Sequence, residues 1–473
     1  MVTPSIRDLV SSNARRYPDR PAVVAADASF TYAQLGRVVE GLAARLAAVP
    51  PGEPVGVLVP SGGVQLAAVL GVLRAGRAYV CPDMSQPAAR IAAQLTRCGV
   101  RMVVGSESLP ADPAFWAAAD RDTSAAYVAD EAAYILFTSG SDGAPKPVAV
   151  SDAGVANYAA AIAALVEPDR DSGRPLAYAT VTSLSTDLGN SAIFPALAAG
   201  DTVHRIGTDV VRDPYAFADY CAAHDIDVLK LTPSLLDALL DADDPAVLPR
   251  RVLIVGGETF RWSLVDRLPT AATCRVINHY GPTETTIGCL TFDVSTARPE
   301  HRALDSVPIG WPLPGVKVRV DDGELLIGGT GVAIGYLGAP ELTLAKFVDD
   351  PELGRAYLSG DLVRQHPDGV IEFRERRDRQ VKIRGYRVEP AEVEQALREH
   401  PDVRSAAVVA IAGPNASLRA YIVARSPDCG PAVLAHLRAT LPTYLIPASV
   451  AVVDEIPQTS SGKRDVRALI DGG

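Results

Sequence analysis

Between residues 138 and 147 the chain reads Thr-Ser-Gly-Ser-Asp-Gly-Ala-Pro-Lys-Pro. Thr138, Ser139 and Ser141 bring hydroxyls, and Gly140 and Gly143 let backbone N–H groups fold closely round an anion. Lys146, held between Pro145 and Pro147, adds a point charge. The chemistry on offer is phosphate binding. It is not a Walker A loop, because Pro145 stands where the glycine before the lysine belongs. A Gly- and Ser-rich loop is by itself more often a plain turn, so the rest of the chain has to decide.

Four further stretches carry polar groups at short spacing: Asn278-His279-Tyr280-Gly281-Pro282-Thr283-Glu284-Thr285-Thr286, Tyr357-Leu358-Ser359-Gly360-Asp361, the charged run 376–385, and Pro457-Gln458-Thr459-Ser460-Ser461-Gly462-Lys463. Singly they read as a turn, a hairpin, a charged surface strand and a tail. Lys230 is the odd residue in Val228-Leu229-Lys230-Leu231, an apolar run suited to a buried strand. A buried lysine without an acceptor is costly and tends to lose its proton. Alternation along a strand also allows Lys230 to face the surface.

The elements that must position these groups follow from the pattern. Tyr134 to Phe137 form a short apolar strand ahead of the loop. Strands at 22–25, 55–59, 78–80, 102–104, 177–182, 202–205, 228–231, 252–255 and 275–278 alternate with helices at 5–16, 32–48, 65–74, 88–98, 154–165, 190–198, 215–224 and 234–240. Such alternation predicts an α/β fold with parallel sheets covered on both faces, ligands collecting at the carboxyl ends of the strands. After about Ala297 the texture changes to β strands joined by DG and GG turns. The last ~95 residues alternate strand and helix densely enough for a small α+β domain.

At 473 residues, 48% apolar and 21% charged, the chain has core enough for several units. A net charge of −11 argues against nucleic acid as a partner. The six cysteines form no CxxC pair, which predicts reduced core residues in a cytoplasmic protein rather than a disulfide frame or zinc site. The N-terminus has no apolar signal core, and charges interrupt the longest apolar runs, so no membrane partner is expected.

Together, in this order and at these separations, the phosphate loop and the four stretches resemble the adenylate-forming superfamily. The likeness is greatest to the adenylation domains of nonribosomal peptide synthetases, and runs from about Ile6 to Leu469. Residues 30–35, 73–82 and 323–337 add weaker matches. The resemblance implies a large N-terminal domain, 1–377, of two αβ-layered sheet subdomains plus a small β subdomain, and a mobile α+β C-terminal lid domain, 378–473. It implies ATP and Mg²⁺, and two steps: a carboxylate attacks the α-phosphate of ATP, then a carrier protein's phosphopantetheine thiol displaces AMP.

By the same resemblance Lys463 is the catalytic lysine between substrate carboxylate and α-phosphate, Thr283 meets the α-phosphate and Glu284 is the magnesium ligand. Tyr280 and Gly281 belong to the nucleotide site, with Tyr280 on the adenine. Gly256, Gly257 and Glu258 line the adenine slot, Asp361 holds the ribose hydroxyls, and Arg376 reaches the ribose or phosphate side. Thr138, Ser139, Gly140, Ser141, Gly143 and Lys146 clamp the outer phosphates. Asp378 is the hinge. Asp187 matches the aspartate that takes the substrate's amino group, although it could instead cap a helix. The other lining positions are Leu188, Ser191, Lys230, Ile254, Gly256, His279, Ile287 and Gly288.

Asp187 with Lys230 would read a substrate that carries an amino group and a second carboxylate. The lining set is close to the family's pattern for L-aspartate, with asparagine, a substituted aspartate or the D-isomer as alternatives. An acid–coenzyme A ligase has no need of that pair. A degenerate module that binds without turnover is the third reading, motivated by Asp142 and Pro147 in the phosphate loop, where the family has other residues; the further departures at Asp152-Ala153, Thr186, Trp311 and Glu375 bear on pyrophosphate handling and rate more than on the reaction class. The expected partners are a phosphopantetheinylated carrier protein in trans to a stand-alone or excised unit, with a small helper protein left open.

Overall fold

The computed structural model describes residues 5–105, 131–140, 144–169, 174–270, 272–411 and 417–457. The chain forms two compact units. One comprises Met1–Asp83, Leu95–Leu136 and Pro147–Arg377; the other comprises Met84–Gln94, Phe137–Lys146 and Asp378–Gly473. The stretch that holds the phosphate loop therefore groups with the residues after Asp378, not with its sequence neighbours.

The first unit is built on a nine-stranded sheet in the order Trp311–Pro312, Leu290–Asp293, Arg275–Tyr280, Val252–Gly256, Val228–Leu231, Ala177–Thr180, Thr202–Arg205, Pro21–Ala25 and Phe30–Thr31. Its middle, from Pro21–Ala25 to Arg275–Tyr280, is parallel. The edge strands on both sides are antiparallel. A six-stranded sheet runs Gly335–Tyr336, Lys146–Ser151, Ala132–Thr138, Tyr79–Val80, Val55–Leu58 and Met102–Gly105. A smaller antiparallel sheet is built round the long strand Gly354–Gln365.

The helix Asp152–Val166 explains how two large sheets share one core. Ser151 caps it by accepting from Gly154 N at 3.0 Å, and Asp152 puts an anion in its first turn. Its sequence is apolar nearly all round, and only the stripe of Ala153, Ala160 and Ala164 is exposed. Val155, Tyr158 and Ile162 join Tyr79 and Tyr134 of one sheet, Ile254 and Ile277 of the other, and Ile193 and Phe194 of helix Asn190–Ala199 in a single core.

The second unit has its own core. Strands Val403–Ile411, Ser417–Ala424 and Ser449–Val452 pack with helices Pro390–Arg398 and Gly430–Thr440. A hairpin, Val381–Ile383 with Tyr386–Val388, turns on Arg384 and Gly385, both at positive φ. Two central residues of that hand match the twist of the strands they join.

The α/β class and most strand positions agree with the sequence reading. The main difference lies at 354–365. The polar stretch 357–361 lies within one twelve-residue strand, not at a hairpin. Gly360 at φ 73° and a register shift between Leu362 and Val363 interrupt its alternation, which hides the strand from the pattern. All six cysteines are free, and five are buried. Among the described residues no helix is long and apolar enough to cross a membrane.

Candidate active site

The strand Arg275–Tyr280 carries two neighbouring site residues to opposite faces, because side chains alternate along a strand. His279 and Tyr280 are both buried. Each anchors a separate cluster in the first unit.

The His279 cluster settles where Lys230 points. Lys230 lies between Thr180 and Ile254 in the parallel sheet and is 1% exposed, so the surface reading is corrected. Val228–Leu231 is buried at every position, because helices cover both faces. Lys230 Nζ is 3.2 Å from His279 Nδ1, and His279 Nε2 is 2.9 Å from the Tyr158 hydroxyl. The Tyr158 and His279 rings meet edge-on, with centroids 5.7 Å apart. Two glycines keep the space these groups fill. A Cβ on Gly288 would lie 2.0 Å from His279 Nε2. A Cβ on Gly256 would lie 2.0 Å from the His279 carbonyl oxygen and 2.7 Å from Lys230 Nζ.

Asp187 opens the 3₁₀ turn Asp187–Gly189 before helix Asn190–Ala199. It does not cap either element: the cap positions are Thr186 and Gly189, and neither makes a side-chain cap bond. Its charge acts on the tyrosines of the core. Burial pushes the Tyr79, Tyr134 and Tyr158 phenols up, and the Asp187 charge pushes the same way in all three. Ser191, fully buried one turn on, acts on Tyr158 in the opposite sense. Asp187, Ser191, Tyr158, His279 and Lys230 thus form one group. Leu188 is half-buried, and Ile254 and Ile287 are buried. Thr286 and Ile287 both sit at positive φ, 62° and 68°. Two successive β-branched residues in that region cost about 1–3 kcal/mol each. The Thr286 hydroxyl helps to hold the turn by donating to the Gly331 carbonyl at 2.6 Å.

The Tyr280 cluster is charge-compensated. The Tyr280 hydroxyl donates to Asp361 Oδ2, and Arg376 Nη1 donates to Asp361 Oδ1 at 2.7 Å and to the Ser359 carbonyl at 2.8 Å. Asp361 and Arg376 are register partners on Gly354–Gln365 and Ile371–Arg376. Burial, and then the Asp361 charge, keep the proton on Tyr280. Glu284 lies close by in sequence and is 0% exposed; Tyr336 donates to its Oε1 at 2.8 Å. Thr283 and Gly281 are half-buried beside it. Among the described residues no three His, Cys, Asp or Glu side chains are grouped to hold a metal. A magnesium ion bound by one carboxylate and by phosphate oxygens needs no such group, and the buried Glu284 carboxylate fits that role.

The Glu258 carboxylate accepts from Ser234 N at 3.0 Å and Ser234 Oγ at 2.9 Å, at the start of helix Pro233–Leu239. Gly257 follows the strand Val252–Gly256 directly. In the second unit, Thr138, Ser139, Gly140 and Lys146 are buried, and Ser139 Oγ donates to the Arg387 carbonyl at 2.8 Å. Asp378 begins the third stretch of that unit and accepts from Gln380 N at 3.2 Å. Ser141, Asp142, Gly143 and Lys463 lie outside the described residues.

Residues 10–337 match the family described as AMP-binding enzyme, and 392–463 match the AMP-binding enzyme C-terminal domain. The chain belongs to the AMP-binding enzyme family. It is 35% identical over 98% of its length to the AMB antimetabolite synthetase AmbB of Pseudomonas aeruginosa, of which it spans 38%. It is 33% identical over the same share to Bacitracin synthase 3 of Bacillus licheniformis, of which it spans 8%. Holo-PA1221, a nonribosomal peptide synthetase protein containing adenylation and carrier domains, superposes with a TM-score of 0.83 at 27% identity, over 99% of this chain and 84% of that one. The fold is the mixed α/β fold of such adenylation domains, a large N-terminal domain with a C-terminal domain.

Two contributors in this AMP-binding enzyme escape a reading of the sequence. Tyr158 is 121 residues from His279. Its signal is a hydroxyl in a mostly apolar helix, where a buried Tyr O–H has to find a partner. Tyr336, partner of Glu284, lies in the 323–337 stretch that resembles the family, but nothing in its local pattern distinguishes it from core.

Proposed function

We propose that the chain activates an amino acid with a second carboxylate, L-aspartate above others, in two steps. The α-carboxylate attacks the α-phosphate of ATP, forming the acyl adenylate and releasing pyrophosphate. A carrier protein's phosphopantetheine thiol then attacks the acyl carbon and AMP leaves.

An anion attacking an anion needs charge neutralisation and positioning above all. Lys463 bridges the two reacting anions, and Thr283 receives the α-phosphate. Thr138, Ser139, Gly140, Ser141, Gly143 and Lys146 hold the outer phosphates. Glu284 would hold Mg²⁺, which supplies a counter-charge for those phosphates. Tyr280, Gly281, Gly257 and Glu258 belong to the adenine side, and Asp361 with Arg376 to the ribose. Asp378 is the hinge of the lid 378–473.

The observation that carries the aspartate reading is Lys230. A buried lysine is set beside an imidazole, in the same group as Asp187. Asp187 takes the substrate ammonium and Lys230 its side-chain carboxylate. Leu188, Ser191, Ile254, Gly256, His279, Ile287 and Gly288 shape the space between. A substrate longer by one methylene loses only about 1–3 kcal/mol in such a site, so glutamate is the competitor to measure. The test is pyrophosphate exchange into ATP over a panel of amino acids. Aspartate should be the best substrate. Exchange with a neutral apolar amino acid and none with aspartate overturns this reading, and no exchange at all favours a module that binds without turnover.

A further inference from the structure

The hydrogen bonds at His279 restrict where its proton sits. A lysine ammonium has three donors and no acceptor. At 3.2 Å from Lys230 Nζ, His279 Nδ1 must therefore offer a lone pair if Lys230 is charged. A neutral imidazole then carries its hydrogen on Nε2. The Tyr158 hydroxyl, 2.9 Å from Nε2, is the oxygen placed to accept it. In the opposite arrangement Tyr158 donates to Nε2, the Nδ1 hydrogen faces Lys230, and only the neutral amine can accept it. An Nδ1–H tautomer therefore excludes the Lys230 ammonium and an Nε2–H tautomer accommodates it, as a ring nitrogen's proton is generally set by what the other nitrogen meets.

We propose that Tyr158 is a positioning residue for substrate choice: it accepts from His279 Nε2–H, fixes the imidazole with its Nδ1 lone pair towards Lys230, and so supplies the acceptor that a Lys230 ammonium needs while it faces an anionic substrate side chain. Tyr158 touches neither nucleotide nor substrate in this account. Its surroundings suit the role. The helix Asp152–Val166 holds it rigidly in the core, with its ring edge-on to His279. Burial and the Asp187 charge keep its own proton on, so it meets Nε2 as a neutral phenol. Gly288 leaves no Cβ to push the imidazole off this line. Its bearing on substrate choice rests on the aspartate reading above; its bearing on the tautomer does not.

The decisive measurement is the ¹⁵N spectrum of histidine-labelled protein, with His279 assigned by loss of its signals in His279→Gln. The expected result is the Nε2–H tautomer in the unaltered protein and a shift towards Nδ1–H in Tyr158→Phe. The same variant should raise the KM for aspartate about tenfold in pyrophosphate exchange, with kcat and the KM for ATP within about twofold. A general loosening of the core would move all three constants together. An Nδ1–H tautomer in the unaltered protein overturns the inference whatever the substrate is. An unchanged aspartate KM in a folded Tyr158→Phe overturns it as well. If the panel shows exchange with neutral amino acids only, the aspartate reading falls, and the spectrum alone decides the role of Tyr158.

Discussion

His279 and Tyr280 are adjacent on one strand, yet the clusters they anchor handle charge in contrasting ways. On the His279 side, the Lys230 amine is met by an imidazole, which a phenol meets on its other nitrogen. On the Tyr280 side, a guanidinium and a phenol are both met by the Asp361 carboxylate. Under the proposed function, the first arrangement keeps a cation available to an incoming anion, at the cost of burying it. The second cancels its own charge and, under the same proposal, presents groups of fixed geometry to the ribose hydroxyls. Such a division suits an enzyme whose amino acid has to be selected and whose nucleotide stays the same.

Lys230→Ala should have the largest effect. It leaves the substrate's second carboxylate buried without its cation, and kcat/KM for aspartate in pyrophosphate exchange should fall about 100-fold or more, with the KM for ATP unchanged. An equal loss in both constants would mean that the two clusters are not separate. Asp361→Asn should do the reverse. The KM for ATP should rise about tenfold, that for aspartate should stay, and Tm should drop as Arg376 loses its ion pair. Tyr336→Phe removes a neutral donor from Glu284, worth about 1 kcal/mol. It should lower kcat by about fivefold and shift the magnesium titration; no shift would detach Glu284 from the metal. Glu258→Gln should be smallest. It should cost about 0.5–1 kcal/mol of stability at the start of helix Pro233–Leu239 and leave the KM for ATP within about twofold. A large rise in that KM would show that the side chain itself contacts adenine.

The sequence made the α/β alternation legible because long helices and buried strands differ in period. It also identified Lys230 as out of place, but not which way it pointed. Alternation carries no information in a strand buried on both faces, and Val228–Leu231 is such a strand. The long strand Gly354–Gln365 was hidden for a different reason, since a positive-φ glycine and a register shift break its period. Tyr158 and Tyr336 were illegible because their partners lie 121 and 52 residues away, and contact at that separation leaves no local trace. The side chain of Glu258 is engaged at a helix start, a use the resemblance did not suggest.

Gly288 and Gly256 bear on how such a pocket can change over generations. A side chain at Gly288 collides with the His279 imidazole, and one at Gly256 collides with the backbone at His279 and with Lys230 Nζ. These positions are therefore not independent letters of a code. A lineage that moves to another substrate has to give up His279 before Gly288 can become larger. The reverse order passes through an intermediate with a displaced imidazole and a stranded lysine. Mutations at these four positions should be strongly non-additive, and the order in which they are introduced decides whether a redesigned pocket remains active along the way.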